Sequence, residues 1–337
     1  MNDERINIAL TIGDPAGIGP EITADLIEKG RFDNHNLYII GSAGELSKYL
    51  SQKTADRIRT IADWKSAPEI KTENPILIDT SLPNANLPAG RASEQGGRIS
   101  GKAVETAVSM ALSGDVEAIV TGPISKEALA LAGYSYIGHT DMLADKFSSP
   151  DCQMMMVNGP LRIVIMTRDI ALKDVPGAIS TDRIKKCVKV TDGALKEFWG
   201  IKKPKIAVAA LNPHAGDGGV TGSEEREIII PAIEMLLSDG LTVEGPVPSD
   251  TLFYNRKNKD YDAYVALYHD QGMIPFKTAG FDEGVNMTIG LPVVRTSVCH
   301  GTAYGIAGRG DAESGSLCEA VSLAVRCCLT KREKAGG

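Results

Sequence analysis

Short apolar runs alternate with amphipathic stretches along the whole chain, and that alternation restricts it to an α/β architecture. Ile6–Ile12, Leu37–Ile40, Ile76–Asp79, Val116–Thr121, Leu161–Thr167, Lys205–Ala210, Tyr264–Tyr268, Met287–Ile289 and Val293–Val298 read as strands. Helices are predicted over Pro20–Lys29, from about Ala43, and over Ser100–Leu112, where Ala103, Val104, Ala107 and Ala111 make one stripe. Further helices are predicted over Thr181–Trp199, opened by a Ser180/Thr181 cap, over Glu224–Leu237, interrupted or delayed by Pro231, and over Ala312–Leu329. Helices recurring between strands predict a mainly parallel sheet. Leu82–Gly97 has the composition of a loop or linker. At about 150 residues per domain, a length of 337 residues suggests two domains.

The charge balance is 36 Lys+Arg against 43 Asp+Glu, a net −7, and the pI is near 5.4. An acidic chain lacks the basic footprint of a general nucleic-acid binder. No apolar segment with a cleavage site follows MNDERINIAL, and no window of about 18 apolar residues occurs, so neither a secretory signal nor a membrane span is expected. Cys152, Cys187, Cys299, Cys318, Cys327 and Cys328 form no C-x-x-C pair, and reduced thiols in a cytoplasmic enzyme are expected.

Ligands of open α/β sheets bind beyond the carboxyl ends of strands, so the residues after each apolar run are the candidates. Gly13–Glu21 (GDPAGIGPE) reads as strand, glycine-rich turn, helix, and suits a tight structural turn or a ligand loop equally well. Four of the five histidines, His139, His214, His269 and His300, lie in polar or small-residue turns; His35, in a polar stretch, reads as an ordinary surface residue. His214 and His269 are candidate metal ligands, with Asp169 as a third, oxygen donor. Histidines bonding loop backbone are the alternative. Arg295 interrupts an apolar strand, which predicts a clamp for a carboxylate or phosphate, or else a buried ion pair; Lys277 is a second cationic candidate.

GDPAGIGPE (Gly13–Glu21), TGPISK (Thr121–Lys126), GHTDMLA (Gly138–Ala144), LNPHAGDGG (Leu211–Gly219), GPVPSDTLF (Gly245–Phe253), YHDQGMIPFK (Tyr268–Lys277), GVNMTIGLPVVRTSV (Gly284–Val298) and HGTAYGIAGRG (His300–Gly310) occur in that order. Together they resemble the 4-hydroxythreonine-4-phosphate dehydrogenase (PdxA-like) family. The resemblance implies an isocitrate/isopropylmalate dehydrogenase-like fold, two α/β domains flanking a cleft, here residues 1–135 plus 291–337 and residues 136–290. It implies a homodimer with the active site at the interface and a small phosphorylated substrate. Metal ligands would be Asp169, His214 and His269; substrate contacts His139, Thr140, Lys277, Asn286 and Arg295; and Asp250, with His139, the catalytic residues. The cofactors implied are NAD, or NADP, and Zn, Mg or Mn; no residue is assigned to the nicotinamide cofactor. Two departures bear on the substrate. Asp169 stands where the family's dehydrogenases usually carry a third metal-binding histidine, and Cys299 where Asp is common. They leave 4-phospho-D-threonate or 4-phospho-D-erythronate as alternative substrates. An aromatic cis-diol carboxylate dehydrogenase, a phosphate acyltransferase and a non-catalytic phosphometabolite-binding protein are more distant alternatives.

Overall fold

The computed structural model describes residues 5–335 apart from residues 31, 33, 71, 73, 84, 86, 255–260, 281 and 282. The chain forms two compact units, one of residues 1–150 and 291–329, the other of residues 151–290 and 330–337.

The first unit carries β1 (Asn7–Thr11), β2 (Asn36–Gly41), β3 (Arg59–Ile61), β4 (Ile76–Asp79), β5 (Ala118–Thr121) and β12 (Val294–Val298), in the order β3-β4-β2-β1-β5-β12. Every pairing among them is parallel; Leu10 stands between Ile39 and Val120. All four residues of β5 and all five of β12 are buried, as in a parallel strand covered on both faces. The helix Glu94–Leu112 packs on β1, β2 and β5 and starts where Ser93 Oγ accepts the Gly96 N–H at 3.0 Å. The predicted loop therefore ends at Ser93 rather than Gly97, because the cap sets the start; Asn84 and Asn86 of that loop lie outside the described residues. Gly97 lets this helix touch the next: a Cβ there would lie 1.9 Å from the Ala128 carbonyl oxygen. Gly97→Ala is expected to destabilise the protein by about 3 kcal/mol through overpacking, read as a lower midpoint in urea.

The second unit carries β6 (Gln153–Asn158), β7 (Leu161–Ile165), β8 (Lys205–Ala209), β9 (Thr242–Val247), β10 (Ala263–Ala266) and β11 (Val285–Ile289), in the order β11-β6-β7-β10-β8-β9. β6 runs antiparallel to both neighbours, whereas β7, β10, β8 and β9 are parallel. The helix Thr181–Trp199 has the predicted bounds: Ser180 Oγ accepts the Arg183 N–H at 3.2 Å, and Gly200 closes it with φ 71°. Pro231 is accommodated by a π-helical turn, Glu225–Ile229, ahead of the helix Ile230–Ser238.

Residues 136–150 group with the first unit, where the helix His139–Lys146 packs on Glu94–Leu112. The last helix starts at Gly315 rather than Ala312 and runs to Ala335 rather than Leu329. Its end groups with the second unit, where Lys331 Nζ meets Glu197 Oε1 at 2.7 Å and sits 5.9 Å from the Phe198 ring centre. Among the described residues, no helix is long and apolar enough to cross a membrane, and no disulfide joins the six cysteines.

Candidate active site

In the first unit, Arg295 sits on β12 opposite Ile119 of β5 and is 1 % exposed. Its Nη2 donates to Thr121 Oγ1 at 2.7 Å, at the end of β5. His139 opens the helix His139–Lys146, and Thr140 follows it, half-buried. His139 as a whole is partly exposed, but its Nε2 is enclosed and has no hydrogen-bond partner among the described residues. Burial, and then the nearby Arg295 charge, hold its imidazole well below the usual histidine range, so it is neutral at pH 7. Lys126 follows the helix cap Ser125, whose Oγ accepts the Ala128 N–H at 3.1 Å, and its stem reaches toward Gly138, beside His139. Nothing in the TGPISK motif by itself assigns Lys126 a role.

The depressed pKa of His139 has a consequence for stability. Between about pH 6.5, where an unfolded histidine titrates, and the lower folded value, the unfolded chain binds the extra proton. The stabilisation is therefore present above about pH 6.5 and lost as pH falls below it. His139→Asn is expected to make the melting temperature flatter across that acid window; an unchanged slope would contradict the assignment.

GDPAGIGPE proves to be a structural turn. A Cβ at Gly13 would lie 2.2 Å from the Pro123 oxygen, one at Gly17 2.8 Å from the Thr302 oxygen, and one at Gly19 2.1 Å from the Ile12 oxygen. The close approaches its glycines permit are thus made by protein backbone. Asp14 accepts from the Ala16 N–H (2.9 Å) and the Tyr304 hydroxyl (2.8 Å), and burial raises the pKa of both acidic groups. Glu21 accepts from the Gly308 and Gly310 N–H groups at 2.6 and 3.0 Å. One glycine-rich motif therefore holds another, HGTAYGIAGRG.

In the second unit, the candidates follow strands that are neighbours in the order β7-β10-β8. Asp169 is exposed, after Arg168 at φ 42°. His214 opens six consecutive residues at positive φ: His214 51°, Ala215 56°, Gly216 81°, Asp217 45°, Gly218 67° and Gly219 103°. A left-handed turn costs a non-glycine residue roughly 1–2 kcal/mol, and buried Glu225 anchors the approach to it. Its Oε1 accepts the Leu211 and Asn212 N–H groups at 2.8 and 2.7 Å, and its Oε2 accepts Asn212 Nδ2 at 2.9 Å. His269 begins the helix His269–Ala279, unpredicted because Pro275 lies inside it. Lys277, exposed, is in its last turn. Asn286 stands half-buried on β11. Asp250 is exposed and lines a cavity of about 500 Å³ with Phe253, Tyr268, Asp270 and Ile274.

Both candidate metal-binding histidines pair Nδ1 with a carboxylate: His214 with Asp217 at 3.2 Å and His269 with Asp270 at 2.7 Å. An Nδ1–carboxylate pairing leaves Nε2 as the remaining donor atom, the pattern of metal-ligating histidines, so the donor types fit a divalent cation. Among the described residues, no three His, Cys, Asp or Glu side chains are arranged to hold one. His35 Nδ1 accepts the Ile6 N–H at 3.3 Å, a structural contact. Sequence reasoning gave no role to His300, whose Nδ1 meets the Gly301 oxygen at 2.9 Å and whose enclosed Nε2 has no partner among the described residues. The Cys299 N–H donates to Ser316 Oγ at 3.1 Å.

The profile of pyridoxal phosphate biosynthetic protein PdxA matches residues 33–324. The chain belongs to the PdxA family. It is 41 % identical to 4-hydroxythreonine-4-phosphate dehydrogenase of Desulforapulum autotrophicum over 331 residues, 96 % of each chain. It is 40 % identical to D-threonate 4-phosphate dehydrogenase of Salmonella typhimurium over 330 residues, 96 % of this chain and 99 % of that one. The crystal structure of 4-hydroxythreonine-4-phosphate dehydrogenase from Klebsiella pneumoniae superposes with a TM-score of 0.84 at 38 % identity, covering 96 % of this chain and 99 % of that one. The fold of this PdxA-family chain is thus the α/β fold of the isocitrate/isopropylmalate dehydrogenase type.

Proposed function

We propose that this chain oxidises the secondary hydroxyl of 4-hydroxy-L-threonine 4-phosphate to a β-keto acid that decarboxylates, with NAD as acceptor and a divalent metal as cofactor. The enzyme is a dehydrogenase acting on a CH–OH group. The near full-length match to dehydrogenases of that name carries the reading. A β-keto acid follows because the carbon oxidised lies β to the carboxylate.

In the first unit, Arg295 supplies a buried positive charge for an anionic group of the substrate. Neutral His139 and the Thr140 hydroxyl offer hydrogen bonds without a charge of their own. In the second, Lys277 and Asn286 bind substrate, and Asp250 takes the hydroxyl proton. His214, His269 and Asp169 would hold the metal as donors shared between the two copies of a homodimer, since one copy does not bring all three together, and the metal when bound would acidify a hydroxyl and polarise a carbonyl. Binding energy from the remote phosphate orients the reacting carbon. The enzyme works as a homodimer: Leu172, Val220 (87 % exposed), Tyr254 and Ile274 give the second unit apolar surface that a second copy would cover. With no disulfide among the described residues, a reducing cytoplasm is its setting.

D-Threonate 4-phosphate is the second reading. A relative of that name is as similar, and Asp169 and Cys299 depart from the family's usual residues. Initial rates with each substrate decide between them. The higher kcat/KM names the substrate, and no turnover with either rejects the proposal.

A further inference from the structure

Three strand ends carry His214, Asp250 and His269, and the side chain of one residue touches all three. Gln271 is 6 % exposed and lies in the first turn of the helix His269–Ala279. Its Oε1 accepts the Leu267 N–H at 2.6 Å, just past β10. Its Nε2 donates to the Ala210 carbonyl at 2.6 Å, just past β8, and to Ser249 Oγ at 2.7 Å. Ser249 in turn donates to the Ala210 carbonyl at 3.2 Å. We propose that Gln271 is a positioning residue whose amide fixes the His214, Asp250 and His269 segments relative to one another. The inference rests on the reading of those residues as the active site.

The chemistry of the amide leaves little freedom. One end must accept, because it faces a backbone N–H, and the other must donate, because it faces a carbonyl; both Nε2 hydrogens are used. The bond to Leu267 closes the turn Leu267–Tyr268–His269, so it holds the backbone that carries His269, two residues before Gln271. The bond to Ala210 lies four residues before His214, and the bond to Ser249 adjoins Asp250. A second link extends the array: Thr167 Oγ1 donates to the Leu267 carbonyl at 2.7 Å, two residues before Asp169. A buried, fully satisfied network of this kind specifies one arrangement and loses it cooperatively when one member goes. Positional errors of about 1 Å at reacting groups can cost a hundredfold in rate.

The test compares the full-length protein with Gln271→Leu, Gln271→Glu and Ser249→Ala, by hydrogen exchange and by kinetics. Gln271→Leu should speed amide exchange about tenfold or more together in residues 210–219, 249–253 and 267–272, leaving β1, β2 and β5 unchanged. Its kcat should fall about a hundredfold with KM within about threefold of wild type. Gln271→Glu can still accept from Leu267 and, when protonated, donate to Ala210; ionised, it repels that carbonyl. Its activity should fall with rising pH along a limb absent from wild type, a signature that a merely packed side chain would not produce. Ser249→Ala should move exchange in residues 249–253 most. If Gln271→Leu fails to fold, the pH limb of Gln271→Glu and the exchange in Ser249→Ala decide. Exchange confined to residues 267–272, or an unchanged kcat, overturns the proposal. Should the wild type turn over neither substrate, the functional reading fails, and exchange alone still decides whether Gln271 couples the three segments.

Discussion

Replacing His214 with glycine is expected to abolish turnover while making the second unit more stable by about 1 kcal/mol. His214 has φ 51° and its side chain is 71 % exposed, so it contributes little packing and occupies a conformation that glycine adopts freely. Ala215 and Asp217 share that region, so the strain belongs to the whole turn, and the loss of turnover follows from the metal role proposed for the imidazole. His214→Asn is the control, because asparagine tolerates the left-handed region better than other residues with a side chain: its stability should match wild type within about 0.5 kcal/mol, with activity still lost. Urea unfolding and initial rates measure the two effects. A less stable, fully active His214→Gly would place His214 outside the site.

Arg295→Met is expected to lower kcat/KM more than a hundredfold and, in the same variant, to raise the pKa of His139. Losing a buried charged hydrogen-bonding group costs about 3 kcal/mol, which is about a hundredfold in rate. The Arg295 charge also disfavours protonation of His139, so removing it lets the imidazole titrate higher, though burial still holds it below the usual range. Arg295→Lys should fall between, keeping the charge and losing the fork. Titration of the His139 ring by nuclear magnetic resonance, alongside substrate kinetics, checks both. An unmoved His139 titration together with an unchanged KM would contradict the role of Arg295.

The interior parallel strands were legible because burial on both faces makes them nearly continuous apolar runs, as in β1, β5 and β12. Thr181–Trp199 was legible to the residue because Ser180 and Gly200 write both of its ends in the sequence. The antiparallel β6 (QMMMVN) was not, since methionine carries little strand preference and the pattern lacks alternation. The edge strands are equally faint, β3 having no buried residue and β9 being buried only in part. For the site, the strand-end rule found the candidate positions. It could not show that GDPAGIGPE turns inward onto HGTAYGIAGRG, or that residues 214–218 form a left-handed turn, because both depend on contacts with distant residues. Gln271 was invisible for the same reason: its amide bonds to a carbonyl 61 residues away.

The most direct test of the central claim is substrate-dependent reduction of NAD by chelator-treated protein, before and after Zn, Mg or Mn is restored. The account predicts no NADH from the stripped protein and, with at least one metal, one NADH and one CO2 per molecule of 4-hydroxythreonine 4-phosphate or D-threonate 4-phosphate consumed. Equal turnover by the stripped protein would contradict the metal assignment, and no NADH from either substrate with any metal would contradict the proposed activity itself.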